Sequence, residues 1–146
     1  MDNVKLKIRG EQKDITGESN VIETTAKGRH CIKNGKHYIL YEDHLGTDAA
    51  VSNVLKFNET SVTLLRHGGV EMEQRFIPGK AERSTYQTPE GGIELEIKTD
   101  ELNVDCSGIP GEIYLKYHVR AGGVLTGTNE LRIYIYKDDG NSCLTN

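Results

Sequence analysis

Apolar and polar side chains alternate along most of this chain with a period of two residues. Near the start, Val4, Leu6 and Ile8 alternate with basic residues, which is typical of a strand with one face buried. No run of apolar residues at helical spacing is long enough to predict a helix. The alternation therefore predicts an all-β protein.

About ten such runs follow one another, separated by short segments rich in glycine, proline and asparagine. Asn34-Gly35 predicts a tight hairpin, because both turn positions favour a positive φ. After the first run, the predicted strands cover residues 20–33, 37–42, 48–57, 61–67, 70–77, 83–88, 93–103, 112–120 and 129–137. We predict a single antiparallel up-and-down β-barrel of about 8–10 strands over residues 1–137, because a meander removes its edges by closing. A flexible tail, 138–146, follows.

The pairing of these runs predicts which side chains face the interior. A three-residue loop, His67-Gly68-Gly69, puts Arg66 on an inward face. The predicted registers are Leu64 opposite Met72, Val62 opposite Gln74, Met72 opposite Tyr86, Val70 opposite Thr88, Leu95 opposite Tyr86 and Ile93 opposite Thr88.

Alternating strand directions separate the loops into two groups. The glycine-rich loops near residues 46, 68–69, 91–92 and 122–127 fall at one end of the barrel, and Asn34-Gly35 falls at the other. The glycine-rich end is the predicted mouth and the candidate ligand site. Its predicted residues are Arg66, Met72, Gln74, Tyr86, Thr88 and Asn129.

Charge and hydropathy set limits on partners and location. The chain has 18 basic and 22 acidic residues, a net charge of −4, which argues against nucleic acid as a partner. No stretch approaches the ~20 consecutive apolar residues that cross a bilayer, so we expect no membrane partner. The first residues lack the apolar segment of a secretion signal, which predicts a cytoplasmic protein.

Several segments match a known pattern. They are Arg66-His67-Gly68-Gly69-Val70-Glu71-Met72 with Phe76, Thr88-Pro89-Glu90-Gly91, Leu95-Glu96-Ile97-Lys98-Thr99, Asn129-Glu130-Leu131, and the tyrosines Tyr38 and Tyr41. Together they resemble the YwiB-like bacterial family over nearly the whole chain. The resemblance implies a calycin-like β-barrel, related in architecture to lipocalins, of unknown function. It carries over no catalytic residue. The glycine-rich His67-Gly68-Gly69 departs from the pattern, and Asp138–Asn146 matches nothing in it.

Arg66 is the candidate with the sharpest chemistry. An inward guanidinium needs acceptors, because an uncompensated buried charge costs about 3–5 kcal/mol. The candidate acceptors are Gln74, Tyr86, Thr88, Asn129 and backbone carbonyls. Arg66 is then either a clamp for an anionic ligand or a structural latch that closes the barrel end.

Other chemistry is less well supported. His30 and His37 fall diagonally on one face of the hairpin, but no third ligand stands beside them, so we predict no metal site and no cofactor. Glu94 and Glu96 lie on an outward face, and no nucleophile motif is present, so we expect no enzyme activity.

Three tyrosines form an outward stripe on the last two predicted strands. Tyr114, Tyr134 and Tyr136 have the parity opposite to their aliphatic neighbours. The stripe is either a surface for a partner or a homodimer, or ordinary cross-strand pairing.

Two functions remain open from the sequence. The first is a non-enzymatic binding module for a small anionic or amphiphilic ligand at the Arg66 mouth. The alternative is a filled barrel that acts as an interaction or dimerisation domain through its tyrosine stripe. An open pocket above ~300 Å³ bordered by Arg66 would favour the first.

Overall fold

The computed structural model describes residues 2–43, 51–68 and 71–138, with their side chains except those of residues 43 and 88. Within these ranges the regular elements are ten β-strands, which confirms the all-β class. They are β1 (Asp2–Asp14), β2 (Ser19–Lys33), β3 (Lys36–Asp43), β4 (Val51–Phe57), β5 (Val62–Gly68), β6 (Met72–Phe76), β7 (Ala81–Thr88), β8 (Gly91–Asp105), β9 (Gly111–Ala121) and β10 (Val124–Lys137). No helix in these ranges is long and apolar enough to span a membrane.

The strands form one antiparallel sheet in which each strand lies beside its neighbours in sequence. The order is β6-β5-β4-β3-β2-β1-β10-β9-β8-β7, so β1 pairs with β10 and the sheet curls into a ring. The two edge strands meet at a bridge where Glu71 and Gln87 exchange backbone hydrogen bonds of 3.1 and 2.9 Å. The predicted up-and-down barrel is confirmed. It is nearly closed, with a seam between β6 and β7.

The local sequence explains the strand faces and the tightest turn. Val4 and Leu6 of β1 are buried, and the lysines that alternate with them are not. Between β2 and β3, Asn34 and Gly35 have φ values of 53° and 75°. These are the positive values that a two-residue hairpin of the predicted type requires.

The predicted register between β5 and β6 is wrong by two residues. Arg66, rather than Leu64, lies opposite Met72. The cause is the length of the connection, because β5 stays paired with β4 up to Gly68 and β6 begins only at Met72. The remaining observed pairs include Leu64 with Gln74 and Val62 with Phe76. A shift of two residues preserves the face of a strand, so Arg66 still has an inward position.

The predicted register between β7 and β8 is wrong by two residues as well. The observed pairs are Tyr86 with Ile93, Ser84 with Leu95 and Thr88 with Gly91. The turn therefore contains only residues 89–90, which is tighter than the predicted register required. Between β6 and β7, the Glu71–Gln87 bridge agrees with the predicted pairing of Met72 with Tyr86. Val70, residues 44–50 and the predicted tail from residue 139 lie outside the described residues.

The turns lie at two ends of the barrel. Turns 15–18, 89–90 and 122–123 are at one end, which we call the open end. Turns 34–35, 58–61, 77–80 and 106–110 are at the other, which we call the closed end. Apolar side chains fill the interior toward the closed end, among them Val4, Leu6, Phe57, Val62, Phe76, Ile113, Ile133 and Ile135.

Candidate functional site

Three polar side chains form a row across the inner wall of the barrel. Tyr41 on β3 pairs with Asn53 on β4, which pairs in turn with Arg66 on β5. Tyr41 and Asn53 are buried. Asn53 donates from Nδ2 to the carbonyl oxygen of Val51 at 3.3 Å. The row places a phenol, an amide and a guanidinium side by side on the inner wall.

Arg66 is the charged member of this row. Its side chain is half-buried, and its Nε and Nη1 atoms are shielded from solvent. Burial raises the pKa of the Tyr117 phenol on β9 to about 12, and the positive charge of Arg66 partly offsets this rise. The Arg66 charge therefore acts across the interior, toward the opposite wall.

An apolar cavity of about 700 Å³ lies beside the row. Arg66 and Tyr41 contribute to its wall, and most of the other lining side chains are aliphatic or aromatic. They include Ile8, Leu55, Leu64, Phe76, Leu115 and Leu131. Ile22 also lines the cavity and is 55% exposed, so the cavity is accessible to solvent beside β2.

Gly10 widens this cavity toward the open end. It follows Val4, Leu6 and Ile8 at the inward positions of β1 and lines the cavity. A Cβ atom built on Gly10 would come no closer than 3.9 Å to its nearest neighbour, a methyl group of Leu131. A Cβ atom at this position would therefore be accommodated without a close contact.

A second space of about 330 Å³ lies at the open end. Four of the six predicted mouth residues line it: Met72, Gln74, Tyr86 and Asn129. Tyr117 lines it too, and its ring packs on Phe76 with centroids 4.8 Å apart. Because Phe76 borders the larger cavity, this ring pair stands between the two spaces.

The predicted mouth residues therefore line more than one space, and Arg66 and Met72 also border a shallow surface hollow of about 580 Å³. Arg66 lines the larger cavity, while Asn129 lines the smaller space at the open end. Thr88 is the last residue of β7 and pairs through its backbone with Gly91; its side chain lies outside the described set. The roles of Arg66 as a clamp or as a latch stay predictions.

The sequence analysis missed Asn53 and Tyr117 as members of the site. Asn53 has a readable signal, because it stands at an inward position between Val51 and Leu55. Tyr117 shares the parity of Leu115, which also predicts an inward position. A polar group at an inward position between apolar residues is therefore the signal that identifies both Asn53 and Tyr117.

The histidine pair lies near the closed end. His30 pairs with Ile39 and His37 with Ile32, as predicted, and the rings meet with Nε2 of His30 2.9 Å from Nδ1 of His37. Burial, followed by the neighbouring His37, lowers the pKa of His30. In the described ranges, no group of three or more His, Cys, Asp or Glu side chains is placed to hold a metal ion.

The tyrosine stripe has the predicted outward orientation. The Tyr114 hydroxyl donates to Oε1 of Glu130 at 2.9 Å, and the Arg132 guanidinium lies 4.5 Å from the Tyr114 ring centroid. Tyr136 is more exposed than Tyr114 and Tyr134. Tyr114, one of the three tyrosines of the stripe, therefore already contacts other side chains of this chain.

Comparison with known proteins places the chain in a family. The family described as "Domain of unknown function (DUF1934)" matches residues 6–133. The uncharacterized β-barrel protein YwiB of Bacillus subtilis (strain 168) is 32% identical over 108 residues, which cover 73% of this chain and 74% of that protein. The crystal structure of the ywiB protein from Bacillus subtilis matches with a TM-score of 0.84 and 26% identity, over 94% of this chain and 92% of that one. The chain therefore belongs to the DUF1934 family and is similar to the YwiB β-barrel.

Proposed function

We propose that this barrel is a non-enzymatic binding protein for a small ligand with an apolar body and an anionic group. The observation that carries the proposal is the cavity of about 700 Å³, lined by apolar side chains and by Arg66. Binding sites for small molecules are commonly apolar hollows of roughly 300–1,000 Å³ with a few polar groups that orient the ligand. The apolar wall holds the ligand body, and the guanidinium holds its acidic group.

The proposal contains no chemical step. Of the charged side chains in the described residues, Arg66 and Glu42 line the larger cavity. No histidine and no second carboxylate joins them there, so the described lining offers no pair of acid and base with separated pKa values. The His118–Asp100 pair, at 2.9 Å, lies on the outer face of β8 and β9.

The alternative is a filled barrel that works through its tyrosine stripe. The interior space speaks against a filled barrel. The internal contacts of Tyr114 with Glu130 and Arg132 also leave less of the stripe available to a partner. These two observations make ligand binding the better supported function.

The first experiment fills the cavity from the Gly10 position. Gly10→Leu adds four heavy atoms at the cavity wall, and we expect it to weaken binding of a dansyl-labelled fatty acid by about tenfold or more. Lys7→Leu, on the outward face of the same strand, is the matched control and leaves the affinity unchanged. Equal affinity of the two variants, or no binding of the probe by the native chain, contradicts the proposal.

The second experiment separates the clamp from the latch. Arg66→Met keeps an apolar side chain of similar length and removes the charge. If Arg66 is a clamp, the variant loses affinity for the labelled acid but keeps affinity for the corresponding labelled alcohol. Arg75→Met, on the outward face of β6, is the control. A large loss of thermal stability with an unchanged preference for acid over alcohol identifies Arg66 as a latch.

A further inference from the structure

The inward side chains change from nonpolar to polar at one level of the barrel. On four strands, a nonpolar residue lines the larger cavity, and the next inward residue toward the open end is polar and lines the smaller space. The four steps are Gly10 to Gln12 on β1, Phe76 to Gln74 on β6, Leu115 to Tyr117 on β9 and Leu131 to Asn129 on β10. The smaller space therefore has hydrogen-bonding groups at the level where the apolar wall of the cavity ends.

Three of these polar residues form a row across adjacent strands. Asn129 on β10 pairs with Gln12 on β1 at one side and with Tyr117 on β9 at the other. The row continues to Thr99 on β8, which pairs with Tyr117. Thr99 is 1% exposed, and its Oγ1 atom has no hydrogen-bond partner among the described residues. We call these four residues the neutral row, since their side chains are uncharged at neutral pH.

The neutral row lies within electrostatic reach of Arg66. Arg66 pairs with Met72, and Met72 lines the smaller space together with three members of the row. Burial raises the pKa of the Tyr117 phenol, and the charge of Arg66 partly offsets this rise across the interior. A ligand group at this level therefore meets a cation on one side and neutral hydrogen-bonding groups on the other.

The chemistry of the smaller space matches a neutral partner. The charged residues among its described lining are Lys13 and Asp14, which have opposite signs. Lys13 stands at an outward position of β1. The Asp14 carboxylate accepts hydrogen bonds from the backbone N–H groups of Thr16 and Glu18 at 2.9 and 3.1 Å. The carboxamides and the phenol both donate and accept, which is also what hydroxyl and amide groups of a ligand do.

The same step in polarity sets the direction of a bound amphiphile. An apolar ligand end in the smaller space would remove water from the amides without replacing their hydrogen bonds, which is unfavourable. The apolar end is stabilised instead in the larger cavity, where Leu115, Leu131 and Phe76 form part of the wall. The polar end of the ligand then lies toward the open end, between Arg66 and the neutral row.

We propose that the smaller space is a head-group subsite, in which the neutral row and Gln74 bind hydroxyl or amide groups of an amphiphile while Arg66 binds its acidic group. The inference rests on the proposed function, because the apolar body of the same ligand occupies the larger cavity. It specifies the ligand class further: an acid whose head also carries neutral hydrogen-bonding groups, such as an acylated hydroxy amino acid, in place of a simple fatty acid.

Competition against the dansyl-labelled fatty acid tests the subsite. The two competitors are dodecanoate and N-dodecanoylserine, which share the acyl chain and a carboxylate. The second competitor adds an amide and a hydroxyl group. We expect the native chain to bind N-dodecanoylserine about tenfold more tightly than dodecanoate, because the added groups make hydrogen bonds in the subsite.

Two variants remove single amides of the subsite at nearly constant volume. Asn129→Leu should reduce the preference for N-dodecanoylserine to about twofold or less and keep the affinity for dodecanoate. Gln74→Met, on another strand of the same space, should have the same effect, and it provides the test if Asn129→Leu unfolds. Asn103→Leu is the matched control, because Asn103 lies on the outer face of β8, and it should keep the native preference.

Three results would overturn the inference: equal affinity of the native chain for the two competitors, an unchanged preference in both subsite variants, or an equal loss of preference in Asn103→Leu. The affinity for dodecanoate separates this inference from the proposed function. Binding of dodecanoate without a preference for N-dodecanoylserine rejects the subsite and leaves the proposed function standing. Binding of neither competitor, together with no binding of the labelled acid, rejects the proposed function and the subsite with it.

Discussion

The two ends of the barrel are built from the same strands but differ in how their interiors are occupied. On β1, Val4 and Leu6 are buried near the closed end, whereas Gly10 borders the cavity toward the open end. On β9, Ile113 and Leu115 are buried and are followed inward by Tyr117, which borders the second space. Alternation directs all of these side chains to the interior. The size and polarity of the side chain then decide whether that level of the barrel is packed or hollow.

The largest effect is expected from equal truncations at the two ends. Ile135→Ala, in the packed half, should lower the free energy of unfolding by about 2–5 kcal/mol, because it removes buried methyl groups and leaves a void. Ile93→Ala, at the open end where Ile93 is 51% exposed, should change it by less than about 0.5 kcal/mol. Urea unfolding measures both. Similar losses at the two positions would remove the distinction between a packed and a hollow end.

Alanine substitutions at two inward glycines should differ less in their effect on the free energy of unfolding. A Cβ on Gly28 would lie 2.8 Å from the carbonyl oxygen of Leu40, so Gly28→Ala should cost about 1–3 kcal/mol through displaced backbone. Gly10→Ala meets no close atom and should raise stability by up to about 1 kcal/mol, since glycine weakens a strand. The measurement is again the urea midpoint. A loss of stability in Gly10→Ala would mean that the cavity wall cannot accept added volume.

A further effect, which depends on pH, concerns Tyr117, where the packed and hollow parts meet. Its folded pKa of about 12 is above the ordinary value of 10, so the fold favours the neutral phenol. Stability from this group is complete below about pH 10 and falls by up to about 1.4 kcal/mol per pH unit as the pH rises toward 12. Tyr117→Phe should flatten this fall between about pH 10 and 12. Identical alkaline profiles for native chain and Tyr117→Phe would show that the phenol is hydrated.

Much of the architecture is readable from the sequence because it depends on local rules. Alternation identifies the inward faces, and Asn34-Gly35 identifies a hairpin whose φ values the structure has. The inward position of Arg66 depends on the parity of its strand and not on the exact register. It remained correct although its predicted register was wrong, because that error was an even number of residues.

The site itself was less predictable, for two physical reasons. Turn lengths at residues 67–71 and 89–90 set the registers, and glycine-rich segments permit several lengths. The volume of a cavity depends on the summed sizes of the inward residues of many strands. Gly10 on β1 is one of these residues. Parity could have identified Asn53, but not the division of the interior by Tyr117 and Phe76.

The seam between β6 and β7 is a weakly paired junction in the wall of the barrel. In the described residues, the two backbone hydrogen bonds across the seam join Glu71, the residue before β6, to Gln87 of β7, whereas β5 and β6 are aligned in five residue pairs. Strands that share few backbone hydrogen bonds separate more easily than strands that share many. If a bulky ligand widens the barrel, we therefore expect the strands to separate at this seam, while the other strand pairs keep their registers.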